Sequence, residues 1–124
     1  MKKRIEVIEA IHKEGRLYLK TDSGMDDNQT LRATGQMLVD SDQFSFIYVL
    51  DNGEDFVYLS VKEEFWPSLK EVLEKNLEVY ANILNGEILL ENFHSELQYL
   101  TENIKDNANY GNEMEQKVVE VFHS

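Results

Sequence analysis

Ile5, Val7 and Ile11 alternate with polar residues, and beyond Lys13-Glu14-Gly15 the run Arg16-Leu17-Tyr18-Leu19-Lys20 alternates again. A period of two sends one side of an extended chain into a core and the other into water, so these segments predict two strands turning at Gly15. Residues 44–50 and 56–61 are rich in aromatic and β-branched side chains and flank Asp51-Asn52-Gly53-Glu54. Asn-Gly suits the left-handed centre of a type I′ turn, so a two-residue hairpin is expected, with Phe46 opposite Leu59, Tyr48 opposite Val57 and Val49 opposite Phe56. Both of its faces are apolar, which predicts a central place in the sheet with cover on each side. A second Asn-Gly pair, Asn85-Gly86, predicts another hairpin in which Ile83 faces Ile88 and Ala81 faces Leu90.

The period then changes to that of a helix. Pro67 opens a segment in which Phe65, Trp66, Leu69, Val72 and Leu73 recur at helical spacing up to about Asn76. Asn92 stands where an N-cap belongs, followed by Phe93, Leu97, Leu100 and Ile104 as one buried stripe. Met114, Val118, Val121 and Phe122 repeat the pattern in a last helix. Between these two helices, residues 103–112 hold four asparagines, Tyr110 and Gly111. Helix ends account for part of that: Asn107 fits a left-handed C-terminal cap, and Asn112 with Glu115 has the spacing of a capping box. Residues 22–30 form a polar, unpatterned loop. Residues 31–42 fit either a strand at Gln36 to Val39 or a short helix with Leu31, Gly35 and Leu38 on one face, and the strand is preferred. The expected fold is a single α+β domain over residues 1–124, a mainly antiparallel sheet of about five to seven strands built from hairpins, with three helices at about 67–76, 93–106 and 113–122.

A chain of 124 residues buries enough surface to fold without a metal or a disulfide. It has no cysteine, which excludes thiolate zinc sites and thiol nucleophiles and fits a reducing, cytoplasmic setting. No run approaches the roughly 18 apolar residues of a membrane span, and Met1-Lys2-Lys3-Arg4 leads into mixed polarity rather than an apolar signal segment.

The formal charge of −12 is unevenly placed: the first 32 residues hold seven Lys/Arg against six Asp/Glu, the remainder five against eighteen. Nucleic-acid binding draws its free energy from cations that displace phosphate counterions, so a body this acidic repels DNA, RNA and anionic membranes. Lys2, Lys3, Arg4, Lys13, Arg16 and Lys20 are the basic concentration, but Glu6, Glu9 and Glu14 interleave with them and make a mixed-charge surface. A protein partner with a basic surface is compatible with the net field.

Catalytic signals are few. Phosphate-cradling, zinc-protease and serine-hydrolase motifs are all missing, so neither a catalytic residue, nor a metal, nor a cofactor is expected. His12 stands at a hairpin turn and His123 one residue from the end. His94 has Glu96 two residues on, on a different side of the helix, so the pair is not a base and its orienter. Asp40-Ser41-Asp42 with Asp51, Glu54 and Asp55 lacks the spacing of a calcium loop and reads as turn capping. Trp66 beside Phe65 reads as a helix start packed on a sheet. Asn103, Asn109 and Tyr110 are left over once caps and turns are assigned, and with His94 they are the candidate contact residues.

Several blocks also carry a resemblance. Residues 35–42 (GQMLVDSD), the Asp51-Asn52-Gly53 turn, Phe93-His94-Ser95-Glu96-Leu97, and Asn103-Ile104-Lys105 with Asn107 and Asn109-Tyr110-Gly111 resemble the marks of UPF0738, a small family of uncharacterised proteins from Gram-positive bacteria. The resemblance covers roughly residues 35–122 and is less distinct before them. It implies a bacterial cytoplasmic protein and carries no activity, ligand or catalytic residue. The leading expectation is a non-enzymatic interaction or regulatory module whose acidic helical half meets a basic protein. The rival is a small-molecule binder or enzyme with a pocket between sheet and helices near His94, Asn109 and Tyr110. Oligomerisation through a sheet edge is left open.

Overall fold

The computed structural model describes residues 3–22, 31–83, 86–105 and 107–123. Seven strands, β1 (Lys3–Lys13), β2 (Arg16–Thr21), β3 (Arg32–Asp40), β4 (Ser45–Asp51), β5 (Phe56–Lys62), β6 (Glu78–Ile83) and β7 (Gly86–Leu89), make one sheet in the order β3-β4-β5-β1-β2-β6-β7. The sheet is mixed, and this corrects the expectation of a mainly antiparallel one: β1 runs parallel to β5 and β2 parallel to β6. The cause is topological. The β1–β2 hairpin is inserted between β5 and β6, so both of its outer edges pair with strands distant in sequence, and local patterns carry no record of such pairings. The sheet curls into a half-barrel around α1 (Trp66–Lys75), α2 (Phe93–Ile104) and α3 (Asn112–Phe122).

Each strand contributes by its period. Phe46, Tyr48 and Leu50 of β4, Val57, Leu59 and Val61 of β5, and Leu17 and Leu19 of β2 join the helices' Trp66, Leu97 and Val118 in one core. Trp66 is fully buried, its Nε1–H donating to the Val61 carbonyl at 3.3 Å and its ring packed on Phe46 and Phe122. Residues 31–42 resolve in favour of the strand. In β1 a bulge between Val7 and Glu9 reverses the alternation. Ala10 turns to the core in place of Ile11, and Ile8 is left 58% exposed.

Both Asn-Gly registers move by two residues. In the β4–β5 pair Tyr48 faces Leu59 and Asp51 faces Phe56, which leaves a loop of residues 52–55 in place of a two-residue turn. That loop is closed by side chains: Asn52 Oδ1 accepts from the Glu54 and Asp55 amides at 2.9 and 2.8 Å, and Asp51 Oδ1 accepts from Gly53 at 2.7 Å. Two Asx turns hold the longer loop better than Asn-Gly alone holds the shorter. In the β6–β7 pair Ile83 faces Gly86 and Ala81 faces Ile88; Asn85 itself lies outside the described residues, as do residues 23–30 of the expected loop. A shift of two preserves which face each side chain occupies, so the core was anticipated even where the pairing was not.

The helix ends agree with expectation at Asn76 and differ at the others. Asn76 closes α1 in the left-handed conformation, φ 54°. Asn92 does precede α2, but at φ 63° and with no capping hydrogen bond from its side chain. α2 ends at Ile104 with Lys105 as its C-cap, so Asn107 lies beyond the capping position expected of it, and its Oδ1 accepts from the Asn109 amide at 3.0 Å at the start of the 3₁₀ turn Ala108–Tyr110. Gly111, at φ 92°, occupies the N-cap of α3, which places Asn112 inside the helix and removes the capping box. An extended backbone at a positive φ is available to glycine alone at low cost, so the glycine takes the boundary.

Candidate functional site

The four sequence candidates fall at two ends of α2 and beyond it. His94 lies in the first turn, with Nε2 at 3.4 Å from the Leu73 carbonyl, so the tautomer protonated there ties α2 to α1. It helps wall a cavity of about 400 Å³ together with Asn76, Leu77, Glu78, Leu90 and Asn92, a set that contains neither Asn109 nor Tyr110. Glu96 does point elsewhere, as its spacing from His94 requires: its Oε1 accepts from the Met37 amide of β3 at 3.1 Å. At a rise of about 1.5 Å per residue, Asn103 stands roughly 14 Å along the helix from His94. Asn103 and Asn109 are exposed, while Tyr110 is half-buried against the core. The structure therefore gathers Asn103, Asn109 and Tyr110 toward one end and leaves His94 at the other.

One residue on α2 was missed. Tyr99 is 64% exposed, more than Ile8, Phe56 or Leu89, the other exposed large hydrophobic side chains among the described residues. The buried stripe of α2 is Phe93, Leu97, Leu100, Thr101 and Ile104, and Tyr99 lies off it, next to Glu102 and Asn103 at i+3 and i+4 and after Ser95 at i−4. The signal was present in the sequence as an aromatic on the polar side of an amphipathic helix.

The opposite face of the sheet carries a polar network centred on Arg4. Arg4 of β1 lies across three strands: its Nε–H donates to Glu6 at 2.8 Å, Nη1 to Asp40 of β3 at 3.0 Å, and Nη2 to Ser45 of β4 and Ser60 of β5 at 3.1 and 2.9 Å. Both serines are fully buried, and Ile47 on the same face of β4 is 3% exposed. Burial disfavours the guanidinium's charge, but the bonds to Glu6 and Asp40 outweigh it and raise the pKa further above its ordinary value. Farther along the same face Tyr18 and Tyr80 stack at 5.5 Å, with Arg16 over the Tyr80 ring. Asp40 also accepts from the Asp42 and Gln43 amides, the turn capping expected of that segment.

Among the described residues, no three His, Cys, Asp or Glu side chains stand together to hold a metal ion, and no helix is long and apolar enough to cross a membrane.

The fold defines an α+β protein whose mixed seven-stranded sheet curls as a half-barrel around three helices. A family model described as a family of unknown function (UPF0738) matches residues 5–122, and the chain belongs to that family. The match takes in the first strands, which the sequence blocks alone left less distinct. The chain is 48% identical to a UPF0738 protein of Bacillus pumilus and 45% to one of Bacillus licheniformis, in each case over 98% of this chain and 99% of the relative. It is 43% identical to the UPF0738 protein YjbL of Bacillus subtilis over the same shares. The names of these relatives state no activity. No solved structure matches the chain.

Proposed function

We propose that this protein is a non-enzymatic interaction module of the bacterial cytoplasm that engages a basic protein segment through the outward face of α2. The observation that carries this reading is Tyr99, an aromatic ring 64% exposed on a helix that has already buried its apolar stripe. A ring in that position adds nothing to the core, whereas Tyr and Trp are the residues that anchor interfaces. The charge around it selects the partner. Residues 63–124 hold thirteen Asp/Glu against four Lys/Arg, and Glu102 sits one turn from Tyr99. A guanidinium stacked on the ring reaches those carboxylates with its planar fork, so arginine suits the surface better than lysine. Asn103 supplies a neutral hydrogen-bonding group beside the ring.

The test uses an oligoarginine peptide, followed by amide chemical shifts at low salt. The expected result is perturbation centred on residues 95–103, binding about tenfold weaker for Tyr99→Ala, and weaker binding of oligolysine than of oligoarginine. Perturbation confined to other acidic surfaces, or equal binding by Tyr99→Ala, defeats the reading. A pocket-based reading has one observation in its favour, His94 in the wall of the 400 Å³ cavity; it requires a bound small molecule to move the His94 ring resonances first.

A further inference from the structure

A hollow of about 330 Å³ opens beside the end of β3, on the sheet face away from the helices, with Arg4, Ser41, Asp42 and Tyr58 around an apolar floor that includes Leu38 and Ile47. Its size is near the lower end of the roughly 300–1,000 Å³ typical of small-molecule pockets. Three features of the lining define what fits.

The guanidinium of Arg4 is already fixed. Four acceptors hold it, two of them serines with no solvent exposure, so presenting it to a ligand costs little further ordering. Those bonds occupy every guanidinium N–H except one on Nη1.

The charges are of both signs. Asp40 is consumed by Arg4 and by the amides of residues 42 and 43, while the exposed Asp42 carboxylate has no partner among the described residues. An anion drawn to Arg4 meets two carboxylates, and a cation drawn to Asp42 meets the guanidinium. A full charge of either sign thus meets a like charge in the hollow.

Neutral hydroxyl groups face no such conflict, because each both donates and accepts. One hydroxyl donates to Asp42, a neighbour accepts from the remaining Arg4 N–H, and the Ser41 hydroxyl serves either way. The C–H surface of such a molecule has Leu38 and Ile47 to lie against. We propose that this hollow binds a neutral, polyhydroxylated small molecule of about monosaccharide size. The site is separate from the α2 surface and does not depend on it.

Titration with D-glucose, D-ribose and myo-inositol, followed by amide and Arg4 Nε–H resonances, tests this, with glucose 6-phosphate and glucosamine as charged counterparts. Saturable shifts at Ser41, Asp42 and Arg4 are expected for at least one neutral compound, with millimolar affinity, and binding of the charged counterparts weaker by about tenfold. Asp42→Ala and Ser41→Ala each remove the shifts while the rest of the spectrum reports an intact fold. The proposal is overturned if none of the three neutral compounds moves these resonances, if the charged counterparts bind as well, or if the shifts persist in both variants.

Discussion

At the scale of single residues, Tyr48 shows how a side chain in the core becomes a hinge for polar contacts. Its ring is fully buried, and its hydroxyl donates to the Glu91 carbonyl at 2.7 Å while accepting from the Gly35 amide at 3.1 Å. Burial pushes its pKa up to about 12, the charges of Glu91 and Glu96 add to the rise, and the Gly35 N–H opposes it. The unfolded tyrosine titrates near 10. The folded state therefore holds its proton more tightly, so this contribution is fully present below about pH 10 and is lost as pH climbs through about 12, on the order of 2–3 kcal/mol in all. Urea unfolding followed from neutral to alkaline pH checks it: Tyr48→Phe lowers neutral-pH stability by about 1–3 kcal/mol and flattens the alkaline fall. An equal alkaline fall in both proteins counts against it. Gly35 was legible as a glycine but not as this glycine. Its φ of 79°, and the Asn92 side chain 3.0 Å from where its Cβ would stand, arise from a partner far along the chain.

At the scale of elements, α2 does more than fill the sheet. The two edge strands β3 and β7 approach one another across the mouth of the half-barrel. Residues 91 and 92 and the first turn of α2 close that seam through Tyr48, Gly35 and Glu96. The bulge of β3 between Ala33 and Met37 leaves amides without a strand to pair with, and the Glu96 carboxylate accepts one of them. Covering an edge in this way blocks pairing with another chain. Glu96→Ala should cost about 1–2 kcal/mol and speed hydrogen exchange at the Met37 amide, whereas Glu96→Gln, which keeps an acceptor, should restore most of the protection. Unchanged exchange in Glu96→Ala would remove this role. The buried stripe of α2 was readable from its period, since spacing of three and four fixes one face. That Glu96 leaves the helix to cap a strand was not, because the strand's defect arises only when β3 and β4 pair.

At the scale of the whole molecule, net charge and topology dominate. With a formal charge of −12, self-repulsion opposes the compact state. Raising ionic strength from about 0.01 M to about 0.15 M shortens the screening length from about 30 to about 8 Å, and the melting temperature should rise over that interval. A falling melting temperature would mean that pairs such as Arg4 with Asp40 outweigh the repulsion. The alternation of Leu17 and Leu19, the Asn-Gly turns, Pro67 and the helical stripes determined by themselves the α+β class, the three helices and nearly all of the core, because period and turn chemistry act within a few residues. The tertiary structure alone decided the sheet order, the two parallel pairings and the two-residue shifts in register, since these depend on contacts that local sequence does not encode. It also decided the placing of Arg4 across β5, β4 and β3 and of Glu96 against β3. Both join residues dozens of positions apart, and only the closed fold makes them neighbours.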